Sequence, residues 1–202
     1  MALRFTQNKA AIGKQVNKEL AKQVNKKLQK IKPLITRQFK AVLTTALLNS
    51  PEVKSLAGGD LKAEFGLDSD PTQELVAAIM ATLDVQVKPV TAKRKGGISV
   101  VLQSNDFSNL LSQPWASQSI KGGSLPWLEW LLTLGDSIII SDYGVEFGDF
   151  PDSRSGLAKM ASVVAPYKVS GQYSGTADNN FITRAVSRVR PELDRIFKGA
   201  LR

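Results

Sequence analysis

The sequence predicts an α+β fold: a small, mostly antiparallel sheet with helices packed on one face, and a long basic N-terminal helix. Three patterns support this prediction. Apolar residues recur every three or four positions from residue 8 to residue 48, which is typical of a helix. Two alternating segments, 84–91 and 98–102, flank a glycine-containing turn and predict a β-hairpin. The stretch 124–164 predicts helix, strand, loop and strand in that order, and we expect it to form the core.

The N-terminal helix has one apolar stripe, formed by Ile12, Val16, Leu20, Val24, Leu28, Ile31, Ile35, Phe39, Val42 and Ala46. Pro33 lacks an amide donor and is expected to kink the helix or split it. A continuous helix of about 40 residues would extend about 60 Å. A single domain of this size is narrower, so part of the helix is expected to project. The chain therefore divides into a basic helix, 1–49, kinked near Pro33, and an α+β domain, 50–202.

The surface of this helix is strongly basic, because residues 1–40 hold eleven Lys and Arg and one acid, Glu19. A solvated face, a face toward DNA and a face toward a protein partner are all compatible with this bias. Phe5 and Phe39 are its only aromatic residues, so a contact with DNA would be with phosphate and independent of base sequence. The lysines assigned to a DNA- or partner-facing surface are Lys9, Lys14, Lys18, Lys22, Lys26, Lys27 and Lys30.

Capping residues mark the elements that follow. Ser50 is expected to cap a second helix, and Gly66 to close the short turn 61–67. Asp70 is expected to cap the next helix, which explains it better than a metal-binding pair with Asp68. The predicted hairpin then has a basic tip, and a short helix and a polar loop, 114–123, lead to the central stretch.

In the central stretch, Ser124 is expected to be the N-cap of a largely buried helix that ends at Gly135. The three consecutive isoleucines 138–140 predict a strand covered on both faces. Val145 and Phe147 alternate with polar residues and predict a half-exposed strand. Residues 157–164 are expected to form its partner, and 166–169 to continue the sheet.

The chain ends in a helix, from residue 179 to residue 202, with an expected kink at Pro191. Its apolar stripe consists of Phe181, Ile182, Ala185, Val189, Leu193, Ile196 and Ala200. Its other side is basic, with Arg184, Arg188, Arg190, Arg195 and Arg202.

Composition removes most catalytic chemistry. The chain contains no histidine and no cysteine, which excludes Ser-His and Cys-His nucleophiles, disulfides and the commonest zinc ligands. No glycine-rich phosphate-binding motif occurs. We therefore expect no enzyme, no metal site and no cofactor. No apolar run approaches the roughly 18 residues of a transmembrane helix, so no membrane partner is expected either.

Charge is distributed unevenly along the rest of the chain. Residues 41–150 hold thirteen acids and seven bases, and residues 151–202 hold nine bases and four acids. An acidic middle between basic ends indicates either a contact with nucleic acid or a subunit that packs head to tail.

Four segments of the chain are distinctive: LKAEFGL, SLPWLEWLLTLGDSIII, SRSGLAKM and YSGTADNNFITRAV. Together with the Lys-rich N-terminal helix, they resemble small neck and tail-completion proteins of tailed bacteriophages. The resemblance implies a ring-forming α+β subunit, expected to be a hexamer, around the DNA channel at the head–tail junction. Its partners would be other neck, connector or tail proteins, and its locations the virion and, during assembly, the host cytoplasm. Head completion, tail completion and tail termination all stay open.

A ring subunit needs complementary surfaces, and Arg154 is a candidate anchor because a guanidinium group binds a carboxylate in bidentate fashion. A solvated loop arginine is an equal alternative. Asp142, Asp149 and Asp152 are its candidate partners or simply turn formers. The residues assigned to the subunit interface are Arg154, Asp149, Asp152, Arg184 and Arg188. The alternative function is a non-specific DNA-binding accessory protein that acts through its Lys-rich helix.

Overall fold

The computed structural model describes residues 9–91, 95–102, 107–121, 123–162 and 165–201. The helices are α1 (Lys9–Leu48), α2 (Pro51–Gly58), α3 (Asp60–Glu64), α4 (Thr72–Thr82), α5 (Ser108–Leu111), α6 (Trp127–Glu129) and α7 (Phe181–Leu201). The strands are β1 (Leu83–Lys88), β2 (Gly97–Leu102), β3 (Gln118–Ile120), β4 (Gly123–Leu125), β5 (Gly144–Phe147) and β6 (Ala158–Ala161). The predicted basic hairpin tip lies partly outside the described residues.

The α+β class and the long basic N-terminal helix are confirmed. All strand pairs of the described ranges are antiparallel, but they form three separate two-stranded hairpins, β1–β2, β3–β4 and β5–β6, where we expected one small sheet. Most of the core side chains belong to helices, and α1 packs along α7. Each hairpin is therefore stabilised by its packing against helices or loops, because an isolated two-stranded hairpin is only marginally stable in water.

Helix α1 runs unbroken through Pro33, so the expected split does not occur. Its deeply buried side chains are Leu28, Ile35, Phe39, Leu43 and Leu47. Of these, Ile35, Phe39, Leu43 and Leu47 share one core with side chains of α2, α4 and α7, so the second half of α1 is integral to the folded body. Val42 and Ala46, which we placed on the stripe, lie at its edge and are half-buried.

The predicted Ser50 cap is confirmed, because its hydroxyl accepts a hydrogen bond from the Val53 amide at 3.3 Å. The N-cap position of α4 is Pro71, one residue after the predicted Asp70. The Asp70 carboxylate still accepts a hydrogen bond from the Thr72 amide, at the first residue of α4, at 2.9 Å. Gly66 has a φ of 60°, a left-handed conformation that glycine adopts without steric cost.

The start of the central helix differs from the prediction. Ser124 lies in β4, where it pairs with Ser119, and the polar loop before it contains β3. The helix begins at Trp127 and continues as a π-helical turn, Trp130–Leu134. The expected end at Gly135 is confirmed by its φ of 64°. Ser124 is used in strand pairing, so it is not available as a cap.

The predicted buried strand 138–140 is wrong. This segment forms one bridge, between Ile140 and Tyr167, and Ile138 is 54% exposed. Only Ile139 packs against the core. Three β-branched residues favour an extended backbone, but a strand covered on both faces also needs neighbouring strands and helices. Tyr167 supplies a single neighbour, so the segment stays at the surface.

Candidate assembly interface

The first three turns of α1, residues 9–20, form an arm with an uncovered apolar side. Ile12, Val16 and Leu20 are 41%, 58% and 60% exposed, although they belong to the same sequence stripe as the buried Leu28. A step of four residues turns the stripe by about 40° around the helix, so it turns by about 160° between Ile12 and Leu28. The apolar side of the arm therefore points away from the side of α1 that packs on the body.

The body holds α1 firmly just after the arm. The Asn25 side chain donates to the Val90 carbonyl at 2.9 Å and accepts from the Val90 amide at 2.7 Å. This reciprocal pair satisfies backbone groups that follow β1, and Ala21 is buried nearby along the helix. Sequence analysis missed Asn25, because an asparagine among lysines of a helix gives no signal of a distant backbone partner. The pair fixes the direction in which the arm leaves the body.

Six of the seven α1 lysines that were predicted to face DNA or a partner are exposed, at positions 14, 18, 22, 26, 27 and 30. The side chain of the seventh, Lys9, lies outside the described residues. Glu19 lies 4.0 Å from Lys22, with both side chains more than half exposed. Such an exposed pair contributes little energy and leaves the surface strongly positive. Whether these lysines contact DNA or protein stays a prediction.

The body carries an open apolar cleft of about 360 Å³. Its walls are the α3 corner, the β3–β4 hairpin, the residues around β5, and β6; no described side chain of α1 lines it. Ile120, Ile140 and Met160 line this cleft and are 38%, 37% and 44% exposed. A contiguous group of exposed aliphatic side chains in a concave surface is typical of a binding site.

Two buried polar groups of the cleft lining, a carboxylate oxygen of Glu64 and the Ser153 hydroxyl, lack a hydrogen-bond partner among the described residues. The Oε2 atom of Glu64 is buried and makes no hydrogen bond to any described residue. Burial, and then the negative charge of Asp60, raise the pKa of Glu64 from 4.5 to about 7. The Tyr167 hydroxyl donates to the Glu64 carbonyl at 2.8 Å, and burial followed by the Glu64 carboxylate raises the pKa of this phenol. The lining of the cleft is thus mainly apolar, but it also contains the Glu64 carboxyl group, two cations, Arg154 and Lys159, and the hydroxyl groups of Ser153, Ser155 and Tyr167.

Glu64 predicts a measurable pH dependence. The folded protein retains this proton at pH values where the unfolded chain has lost it, so the group makes folding less favourable as pH rises from 4.5 to about 7. Glu64→Gln is expected to reduce the fall of the urea unfolding midpoint across this range. Glu74→Gln, at an exposed position of α4, is the matched control. Identical pH profiles for Glu64→Gln and the unmodified protein would contradict the assignment.

An acidic loop, residues 141–152, borders the cleft between Ile140 and Ser153. Its four acids, Asp142, Glu146, Asp149 and Asp152, are exposed, and it contains no base. The predicted anchor Arg154 is exposed and lines the cleft, but it forms no salt bridge with these acids within the described residues. Lys159 does pair with Glu146, at 3.3 Å. Two further lysines lie next to the cleft in the sequence: Lys121 directly follows the lining residue Ile120, and Lys168 directly follows the lining residue Tyr167.

The two predicted interface arginines of α7 have different environments. The guanidinium group of Arg184 forms a salt bridge with Glu52, whose side chain is 2% exposed, and also donates to the Asn179 side chain at 3.0 Å. Arg184 therefore links α7 to α2 inside one chain. Arg188, one turn later, is exposed. The assignment of both residues to a subunit interface stays a prediction, but Arg184 already has an internal role.

Among the described residues, no group of three or more acidic side chains is placed to hold a metal ion. None of the described helices has the length and apolar content needed to cross a bilayer. Comparisons with known proteins found no matching family model, no similar curated protein and no similar solved structure.

Proposed function

We propose that this protein is a structural subunit of the neck of a tailed bacteriophage, which forms a ring around the DNA channel and joins head to tail. The observation that carries an assembly role is the arm, which holds three large aliphatic side chains outside the body. The setting in a phage neck rests on the resemblance of the segments quoted above. The proposal includes a hexameric ring, contacts with other neck, connector or tail proteins, and a final location in the virion.

The exposed apolar surfaces favour an assembled subunit over a monomer. Burying apolar surface gains about 25 cal/mol per Å² removed from water, so Ile12, Val16 and Leu20 provide a driving force that the single chain does not use. The open cleft with Ile120 and Met160 is a second such surface on another part of the chain. Two distinct unused surfaces fit a subunit that meets a neighbour on each side.

The basic helix gives the second part of the proposal. Exposed lysines on α1 attract phosphate without selecting bases, and that is sufficient for a wall along which DNA passes. The same lysines favour an alternative: a DNA-binding accessory protein that acts through this helix alone. The alternative explains the lysines but leaves the apolar side of the arm and the open cleft without a role.

The first experiment is quantitative mass spectrometry of purified virions from the phage whose genome encodes this chain. A fixed low copy number relative to the portal subunit is the expected result, because a single neck ring contributes few copies. Absence of the chain from purified particles would contradict a structural role in the virion.

A titration with duplex DNA at several salt concentrations separates the two functions. The alternative predicts a steep salt slope. Replacing three lysines of α1 together, by Lys14→Gln, Lys18→Gln and Lys22→Gln, is then expected to reduce this slope by about 0.9 for each phosphate that the variant no longer neutralises. Steep binding by a chain that is missing from virions would establish the alternative in place of the neck ring.

A further inference from the structure

We propose that the arm of one copy docks in the cleft of the next copy, so that the chain assembles head to tail through its own N-terminal helix. This inference rests on the proposed function of a self-assembling subunit and assigns the surfaces that join its neighbours. Ile12, Val16 and Leu20 are the donor side chains. Ile120, Ile140 and Met160 are the main apolar side chains of the acceptor.

The arm cannot enter the cleft of its own chain. Helix α1 is continuous from Lys9 to Leu48, and the body holds it at Asn25 and from Leu28 onward. A helix of this kind does not fold back on itself without breaking its hydrogen bonds, and no described side chain of α1 lines the cleft. An occupant of the cleft that comes from an arm must therefore come from another copy.

The two surfaces match in shape and chemistry. The side chains of the arm recur every four residues, so they form a row with a spacing of about 6 Å along one side of a helix. A row of this kind in an apolar groove is a common mode of helix recognition. The cleft presents aliphatic side chains from a hairpin, a loop and a strand, which gives it walls on more than one side.

The acidic loop contributes an attraction in the same direction. Residues 9–22 of α1 hold four lysines and Glu19, whereas the acidic loop beside the cleft holds four acids and no base. A helix is about 10 Å across, so its lysines stay within about one Debye length of that loop when the apolar side is docked. Arg154 and Lys159 of the cleft, and Lys121 and Lys168 at its walls, oppose this attraction; of these four, Lys159 is already paired with Glu146.

The docked arm would leave its lysines on the outside. Lys14 and Lys18 lie about 160° around the helix from Val16, on the opposite side of the arm. One helix can therefore bind the next subunit with its apolar side and present a positive side to the DNA channel. Because the donor and acceptor surfaces differ, the contact is heterologous, and repeated contacts close into a ring if the rotation between copies permits it.

The absence of cysteine allows a direct test on the full-length chain. Val16→Cys and Ile120→Cys are prepared separately, mixed and oxidised, and the linked peptides are identified by mass spectrometry. We expect a disulfide between the two variants, formed several-fold more than with Lys18→Cys in place of Val16→Cys. Lys18→Cys is the matched control because it lies at an exposed position on the other side of the same arm. Equal yields from both pairs would overturn the proposal.

A second measurement does not depend on disulfide geometry. Val16→Asp combined with Leu20→Asp is expected to abolish rings and higher oligomers in light scattering, with an unchanged circular dichroism spectrum because both positions are exposed. Rings that persist in this variant would overturn the docking and leave the proposed neck function intact. A selective disulfide in a chain that is absent from virions would support the docking and contradict the neck function. A chain that stays monomeric at high concentration and forms no selective disulfide would overturn the docking.

Discussion

Replacing Trp127 by alanine is expected to lower the free energy of unfolding by about 3–5 kcal/mol, because it removes the largest fully buried side chain. The indole packs against Phe65 and Trp115, with ring centroids 6.1 and 6.5 Å away. Its Nε1–H also donates to the carbonyl of the half-buried Trp115 at 2.9 Å, so the change leaves this acceptor without its donor. For a chain of this size, the expected fall in thermal midpoint is roughly 6–20 °C.

Thermal and urea unfolding measure this effect directly, with Ile138→Ala as the control. From the sequence, Ile138 was expected to be buried, like Trp127. In the structure it is 54% exposed, so its replacement is expected to change the free energy of unfolding by less than about 0.5 kcal/mol. Equal losses for the two variants would mean that the central stretch packs as the sequence predicted, with the isoleucines inside.

Replacing Arg184 by leucine is expected to cost about 3 kcal/mol, because it leaves the carboxylate of Glu52 buried and unpaired. Removing both charges with Glu52→Leu and Arg184→Leu is expected to restore most of the stability, since two apolar side chains replace the pair. Urea unfolding of the two single variants and the double variant gives the interaction energy as a double-mutant cycle.

The matched control is Arg195→Leu. Arg195 pairs with Glu192 on the same helix, but its side chain is 78% exposed, so the loss is expected to stay below about 1 kcal/mol. If Arg184→Leu is as mild as Arg195→Leu, the link between α7 and α2 is dispensable. Arg184 would then be available to a neighbouring subunit, as the sequence suggested.

The features that sequence predicted correctly are local. Ser50, Gly66 and Gly135 act through a hydrogen bond to a nearby amide or a left-handed backbone, and they behave as expected. Asp70 also accepts a hydrogen bond from a nearby amide, but it lies one residue before the N-cap, Pro71. The long helix was also predictable, because its period is set by the geometry of the helix itself.

The features that sequence missed depend on distant partners. Residues 138–140 have the composition of a buried strand, yet only Tyr167 pairs with them. Ser124 is a residue type that often caps helices, but in the structure it pairs with Ser119 in the β3–β4 hairpin. The cleft combines side chains from residue 63 to residue 167, and no local pattern indicates that these positions meet. Of the candidate site, the basic side of the arm could be predicted and the acceptor could not.

The continuity of α1 has a mechanical consequence. One end of the helix is the arm, and the other end contributes Phe39, Leu43 and Leu47 to the core. Because about 24 Å of helix separates Asn25 from Lys9, a tilt of about 10° at Asn25 moves the tip by roughly 4 Å. If the arm docks in a neighbouring subunit as we propose, the continuous helix would transmit a displacement of that subunit to the core around Phe39, Leu43 and Leu47.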